Sequence, residues 1–187
     1  MKILICIIVI SLAVAACTTE GNRNGKKTMD FGSFQMEVPA DWVQIHEHGT
    51  DSYVGSIAIG NGDTIGFDMG WYSGSITEDT VLVTMDGKWY YGTPDPISGQ
   101  MQFTDTAFID TLLKQQYAIT AIDGYQARLT TPKISGRGKT GVCIDSLWKR
   151  GSGVDRFVLC GSNLHHDNEQ LVLAAARTLR FSRPGER

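Results

Sequence analysis

The sequence predicts an α+β domain in which an antiparallel β-sheet carries packed helices. Three observations lead there. Alternating and β-branched residues dominate the chain after Phe34, the pattern of half-buried strands. Asn-Gly and Asp-Gly dipeptides fall between those runs, where two-residue hairpin turns need positive φ. Two further segments repeat apolar residues at the helical spacing.

The elements follow in chain order. Phe34–Val38 is an early strand that runs into Pro39-Ala40-Asp41-Trp42. Tyr53–Ile59 and Thr64–Trp71 flank Asn61-Gly62. With that dipeptide as centre, Val54, Ser56 and Ala58 share a face with Ile65, Phe67, Met69 and Trp71. Val81–Met85 and Lys88–Tyr91 make a second hairpin about Asp86-Gly87, and Gly92–Gln100 is a long surface loop. Thr104–Gln116 reads as a helix with Phe108, Ile109 and Leu112 on its stripe and Thr104 or Asp105 as its N-cap. Ala118–Thr130 holds a third hairpin about Asp123-Gly124, and Pro132–Gly138 is another loop. Lys139–Lys149 and Val154–Gly161 are strands joined by Arg150-Gly151-Ser152-Gly153. Asp167–Thr178 is the second helix, with Leu171, Ala174, Ala175 and Leu179 on one side. Acids at its start and Arg177 at its end suit the helix dipole.

The N-terminus carries an address. Met1-Lys2 precedes an apolar run from Ile3 to Ala16 broken only by Ser11, the layout of a signal peptide. The run falls short of the roughly 20 apolar residues that span a bilayer. It ends in Val14-Ala15-Ala16-Cys17, which resembles a bacterial lipobox. The resemblance implies removal of residues 1–16, acylation of Cys17 and anchoring to a lipid bilayer of the cell envelope, with the domain outside the cytoplasm. Thr18, not Asp, follows the cysteine, which favours the outer membrane in a cell that has one. Two or three acyl chains anchor stably where one does not. The polar stretch that follows makes residues 17–28 the lipidated cysteine and a flexible tether. Residues 29–183 are then a single globular domain.

Cys6 leaves with the signal, so Cys143 and Cys160 are the remaining thiols. Export permits a disulfide, and a ladder with Lys149 opposite Val154 sets Cys143 opposite Cys160, within reach of one. Two reduced, buried thiols acting as small apolar residues are the alternative. The 187 residues carry a net charge of −3, with no basic excess to neutralise phosphates, so nucleic acid is not an expected partner. Hydrophobic content of 42% against 20% charged describes a folded chain.

Phe34–Val38 running into Pro39-Ala40-Asp41-Trp42 resembles the strand–Pro–x–x–Trp opening of the Mog1/PsbP-like superfamily, and Arg177-Thr178-Leu179-Arg180-Phe181 is similar to its helix-to-strand ending. The resemblance implies an α/β/α sandwich used as a non-catalytic binding or assembly module.

Few constellations carry chemistry. His46 and His48, at i and i+2, point the same way on a strand and offer two ligands for a hydrolytic metal. His165, His166 or Asp167 is the candidate third ligand, and a solvent-exposed loop after Trp42 is the plainer reading. Gly136-Arg137-Gly138-Lys139-Thr140 lacks the first glycine and the following helix of a phosphate-binding loop. Ser73, with Asp68 and a distant His, lacks the spacing of a nucleophile elbow. Trp71, Tyr72, Trp89, Tyr90 and Tyr91 form an aromatic set at hairpin ends, suited to a protein, peptide or glycan partner, or to packing. No cofactor is expected. The leading expectation is a membrane-anchored, non-enzymatic binding or accessory module. A metal-dependent hydrolase on His46/His48 and an inhibitor or immunity-type protein are the alternatives.

Overall fold

Dipeptide turns set the hairpins. In the computed structural model, which describes residues 25–77, 80–95, 97–106 and 113–183, Asn61, Asp86 and Asp123 take φ of 54°, 51° and 50°, and the glycine after each is also positive. Positive φ at both central residues matches the right-handed twist of the flanking strands. The first elements are β1 (Lys26–Asp30), β2 (Phe34–Pro39), β3 (Val43–His46), β4 (Tyr53–Gly60) and β5 (Asp63–Gly70). Then come β6 (Val81–Met85), β7 (Lys88–Pro94), β8 (Met101–Asp105), β9 (Gln115–Ile122) and β10 (Tyr125–Pro132). The chain ends with β11 (Lys139–Ile144), β12 (Lys149–Arg150), β13 (Gly153–Val154), β14 (Arg156–Ser162), helix α1 (His166–Ala176) and β15 (Arg180–Phe181).

A seven-stranded sheet in the order β3-β4-β5-β14-β11-β10-β9 forms the frame. A second sheet, β1-β2-β15, and α1 cover one of its faces. Between them lies a core in which Phe34, Trp42, Ile57, Ile65, Phe157, Leu159 and Leu179 are fully buried. Phe34 sits at its centre, 4.8 Å from Phe157 and 5.1 Å from Phe67, ring centroid to ring centroid. The other face carries Cys143, Val158 and Cys160, covered by the irregular segment after β5 through Ile76. Two cations pin that strap: Arg128 donates to Ser75 and to the Ile76 carbonyl, and Lys139 to the Thr77 carbonyl. A third sheet, β6-β7-β8, and the β12-β13 ribbon complete the described residues.

Several expectations need correction. The fold is mostly β, with 56% of described residues in strands and 8% helical, and not the α+β sandwich of packed helices that the superfamily resemblance implied. Among the described residues one helix and the β1-β2-β15 sheet cover one face, and a strap covers the other. Thr104 and Asp105 pair with Tyr91 and Tyr90 in β8, and Gln115 and Gln116 with Pro132 and Thr131 in β9, so both ends of the expected helix are ladder residues. Its apolar stripe, Phe108, Ile109 and Leu112, lies outside the described residues. In α1 the buried stripe is Val172, Leu173, Ala175 and Ala176, while Leu171 and Ala174 face solvent. Lys26, Lys27 and Thr28, expected in the tether, are strand residues that pair with Pro39, Val38 and Glu37.

Two register errors have local causes. Gly60 faces Asp63, but Ala58 faces Thr64, so a bulge between Ala58 and Gly60 slips β4 by one residue. A one-residue slip exchanges the faces of a strand. Tyr53, Gly55 and Ile57 therefore join Ile65, Phe67 and Met69 on the core side, and Val54, Ser56 and Ala58 do not. In the last hairpin Lys149 does face Val154, but Ile144 faces Phe157. Two extra residues between β11 and β12 move Cys143 opposite Val158 and Cys160 opposite Gly141. The expected direct opposition of the two cysteines is therefore absent: both are free thiols that stand as diagonal neighbours on one face.

Burial raises both thiols above the usual cysteine range; Lys139 partly offsets this at Cys160 and a hydrogen bond with Ser75 at Cys143. A raised folded value means their contribution to stability is full below the unfolded cysteine value. It is lost as pH rises from there through the folded values. Thiol titration should find Cys143 and Cys160 unreactive in the native protein at pH 8 and both reactive in denaturant. Unfolding free energy should fall above about pH 8.5, and a Cys143→Ala/Cys160→Ala variant should flatten that limb. Phe34→Ala should cost about 3–5 kcal/mol in urea unfolding, since its ring is fully buried where both large sheets meet.

Candidate functional site

The end of β5 shapes an aromatic hollow. After Gly70 the chain turns, and Ser73 closes the turn by donating its backbone N–H to the Gly70 carbonyl and its hydroxyl to the Asp68 carbonyl at 2.9 Å. Ser73 is buried by those bonds, which leaves Trp71 and Tyr72 on the outside of the turn. Their rings stack with centroids 5.5 Å apart and planes 18° from parallel. Trp71 is 51% exposed and Tyr72 70%. Gly153 in β13 gives the indole its seat: a Cβ there would lie 2.6 Å from Trp71 Cδ2, so a larger residue and this ring cannot share the space.

The stack forms one wall of an open hollow of about 660 Å³, lined also by Tyr53, Trp148, Asp51 and Asp155. Each of the inner walls is held. The Tyr53 hydroxyl donates to the Phe31 carbonyl at 2.9 Å. Burial and the nearby Asp30 carboxylate raise that phenol above its ordinary value. Trp148 Nε1 donates to Asp155 Oδ2 at 3.0 Å, and the Asp155 backbone bonds Leu147 and Trp148. The two-residue offset that separates the cysteines is thus also what places Trp148 and Asp155 here. The volume is that of a small-molecule site.

Two further polar clusters hold α1. Asp63 in β5 accepts the His165 backbone N–H at 2.8 Å, the Asn168 amide at 2.7 Å and lies 3.0 Å from His165 Nδ1. The helix has no side-chain cap of its own, so this hairpin carboxylate serves as one. Burial would raise the Asp63 carboxyl, but the bonds from Asn168 and His165 outweigh it and lower the value below the ordinary carboxylate range. Ser135 donates to Glu169 Oε2 at 3.0 Å, the Gly136 N–H donates to Glu169 Oε1 at 2.8 Å, and His166 Nδ1 lies 3.1 Å from the same hydroxyl. In a hydrolytic triad the histidine stands between nucleophile and acid. Here the serine proton goes to Glu169 directly, and the cluster clamps the 133–138 loop to the helix.

The sequence candidates are placed as follows. His46 ends β3 opposite Gly55, whereas His165 sits by Asp63 at the far end of β4, so the proposed ligands do not converge. His48 is exposed, and among the described residues no three His, Cys, Asp or Glu side chains group to hold a metal. Ser73 is spent on a turn. Trp89, Tyr90 and Tyr91 lie in β7, in a different sheet from the strand that leads to Trp71; Trp89 is exposed and the two tyrosines half-buried. Cys17 lies outside the described residues. Trp71 was legible as an aromatic at a hairpin end. Tyr53, Asp51, Trp148 and Asp155 were not, since only long-range pairing gathers them.

No protein-family model and no curated protein matches the chain. Among solved structures, a crystal structure from Bacteroides thetaiotaomicron is similar at 11% identity with a TM-score of 0.33, covering 86% of this chain and 49% of that one. The chain therefore spans about half the length of the structure it matches.

Asp63→Asn should weaken the α1 junction by about 1–2 kcal/mol at pH 7, the scale of a lost cap. A lowered folded value means that the charge-dependent stability is full above the unfolded aspartate value of 3.8 and is lost as pH falls through the folded one. The gap between wild type and variant, measured by thermal unfolding, should therefore close below about pH 4.

Proposed function

We propose that this chain is a lipid-anchored binding or accessory module of the bacterial cell envelope, held by acylated Cys17, which makes its contact through the hollow at Trp71 and Tyr72. The observation that carries the reading is the stacked, half-exposed aromatic pair seated on Gly153 beside that hollow. Large aromatic rings left in water gain about 25 cal/mol for each Å² a ligand covers. Their seat is formed before the ligand arrives, so little ordering cost is due on binding.

A second reading, an inhibitor-type or immunity-type protein that holds another exported protein, has its own support in β6-β8. Alternation places Val81, Met85, Met101 and Phe103 on one face of that sheet, all substantially exposed. Trp89 and Leu82 are exposed on the other. Apolar surface on both faces suits a macromolecular partner more than a small ligand.

Cys17→Ser should release the protein from membranes or leave an unprocessed precursor on fractionation; a processed variant that stays membrane-bound contradicts the anchor. A photo-crosslinking residue at position 72 should give a discrete adduct in intact envelopes, and one at position 89 should not. An adduct at 89 alone favours the second reading.

A further inference from the structure

The chemistry of the hollow narrows what can fill it, and the inference rests on reading the hollow as the binding site. Four aromatic side chains, Trp71, Tyr72, Tyr53 and Trp148, share it with the carboxylates Asp51 and Asp155. The remaining described lining residues carry hydroxyls, a thioether or no side chain, and none is cationic. Aromatic faces present the negative lobe of a quadrupole, and carboxylates present a full negative charge, so the rings and both carboxylates attract the same sign. An anionic ligand would meet like charge on two sides. A neutral ligand could donate hydroxyls to the carboxylates but would leave their charge uncompensated, in a site where Asp155 is already only 5% exposed.

An alkylated ammonium satisfies both kinds of wall. Its methyl groups pack on ring faces, and its spread charge is weakly hydrated, so leaving water costs it less than it costs a bare ammonium. We propose that the hollow binds an organic cation of the quaternary-ammonium class, with Trp71 and Tyr72 as the aromatic wall and Asp51 as counter-charge. Asp155, tied to Trp148 Nε1, adds fixed negative potential from beneath. Gly153 sets the position of the aromatic wall without contributing a side chain to it. The same cation occurs free, as choline, and on a bilayer, as a phosphatidylcholine headgroup.

Detergent-solubilised full-length protein is titrated with choline and with 3,3-dimethyl-1-butanol, its uncharged isostere, following indole fluorescence and heat. Choline should bind saturably and at least about tenfold more tightly than the isostere, the difference a desolvated cation–π contact provides. Trp71→Ala and Asp51→Asn should each weaken choline about tenfold with melting temperatures unchanged. Gly153→Val should do the same by displacing the indole, and near-ultraviolet dichroism reports its fold. Phosphatidylcholine vesicles that compete with choline identify the lipid source, and vesicles without effect identify the free solute; both support the proposal. Equal binding of choline and isostere, unchanged affinity in Asp51→Asn, or no choline response from folded protein overturns it. A neutral oligosaccharide that binds in a Trp71-dependent way where choline does not overturns the cation alone and leaves the contact surface of the earlier reading standing. A position-72 crosslink absent from intact envelopes would instead count against that surface itself.

Discussion

The joining of the two larger sheets hangs on a cluster of phenylalanine rings. Phe34 lies 4.5 Å from Phe31, 5.1 Å from Phe67 and 4.8 Å from Phe157, and Phe157 lies 5.1 Å from Phe181, centroid to centroid. These rings come from β2, the turn before it, β5, β14 and β15, so one cluster joins the two larger sheets. Most pairs meet edge to face, the arrangement that aromatic quadrupoles favour over parallel stacking. The closing strand is only two residues long, yet Phe181 pairs with Phe34 and inserts its ring there. A strand that short contributes through the ring it delivers and little through its ladder.

The hairpins could be read from the sequence because their turn chemistry is local. Asn61-Gly62, Asp86-Gly87 and Asp123-Gly124 each announce the backbone they adopt. What separates a correct hairpin from a correct face is the residue beside the turn. At Ala58–Gly60 an odd slip turned the predicted face inside out. Between Ile144 and Lys149 an even slip kept Cys143 and Cys160 on one face and took away only their direct opposition. Neither irregularity has a local sequence signature, since each is settled by what the distant partner strand must bury. The ends of the expected helix at 104–116 were misread for a related reason: Thr104 and Gln116 have ladder partners in β7 and β10, which the local pattern does not show.

The hollow was legible only in the aromatic pair at its rim, Trp71 and Tyr72. Trp71 stands out as an aromatic past the end of an alternating run, but its neighbours come from residues 51–53 and 148–155. The same long-range logic governs α1, whose start is capped from a hairpin about a hundred residues earlier in the chain. In both places a polar or aromatic side chain takes its role from topology.

Gly153 gives the wall a property that no side chain would. Because the indole of Trp71 rests on bare backbone, positions 71 and 153 behave as one unit of sequence variation. A smaller residue at 71 would open a gap that a side chain at 153 could refill. A side chain at 153 added first has no such room. Related chains should therefore change the two together or lose the aromatic first, and the order of those changes has a direction imposed by steric volume alone.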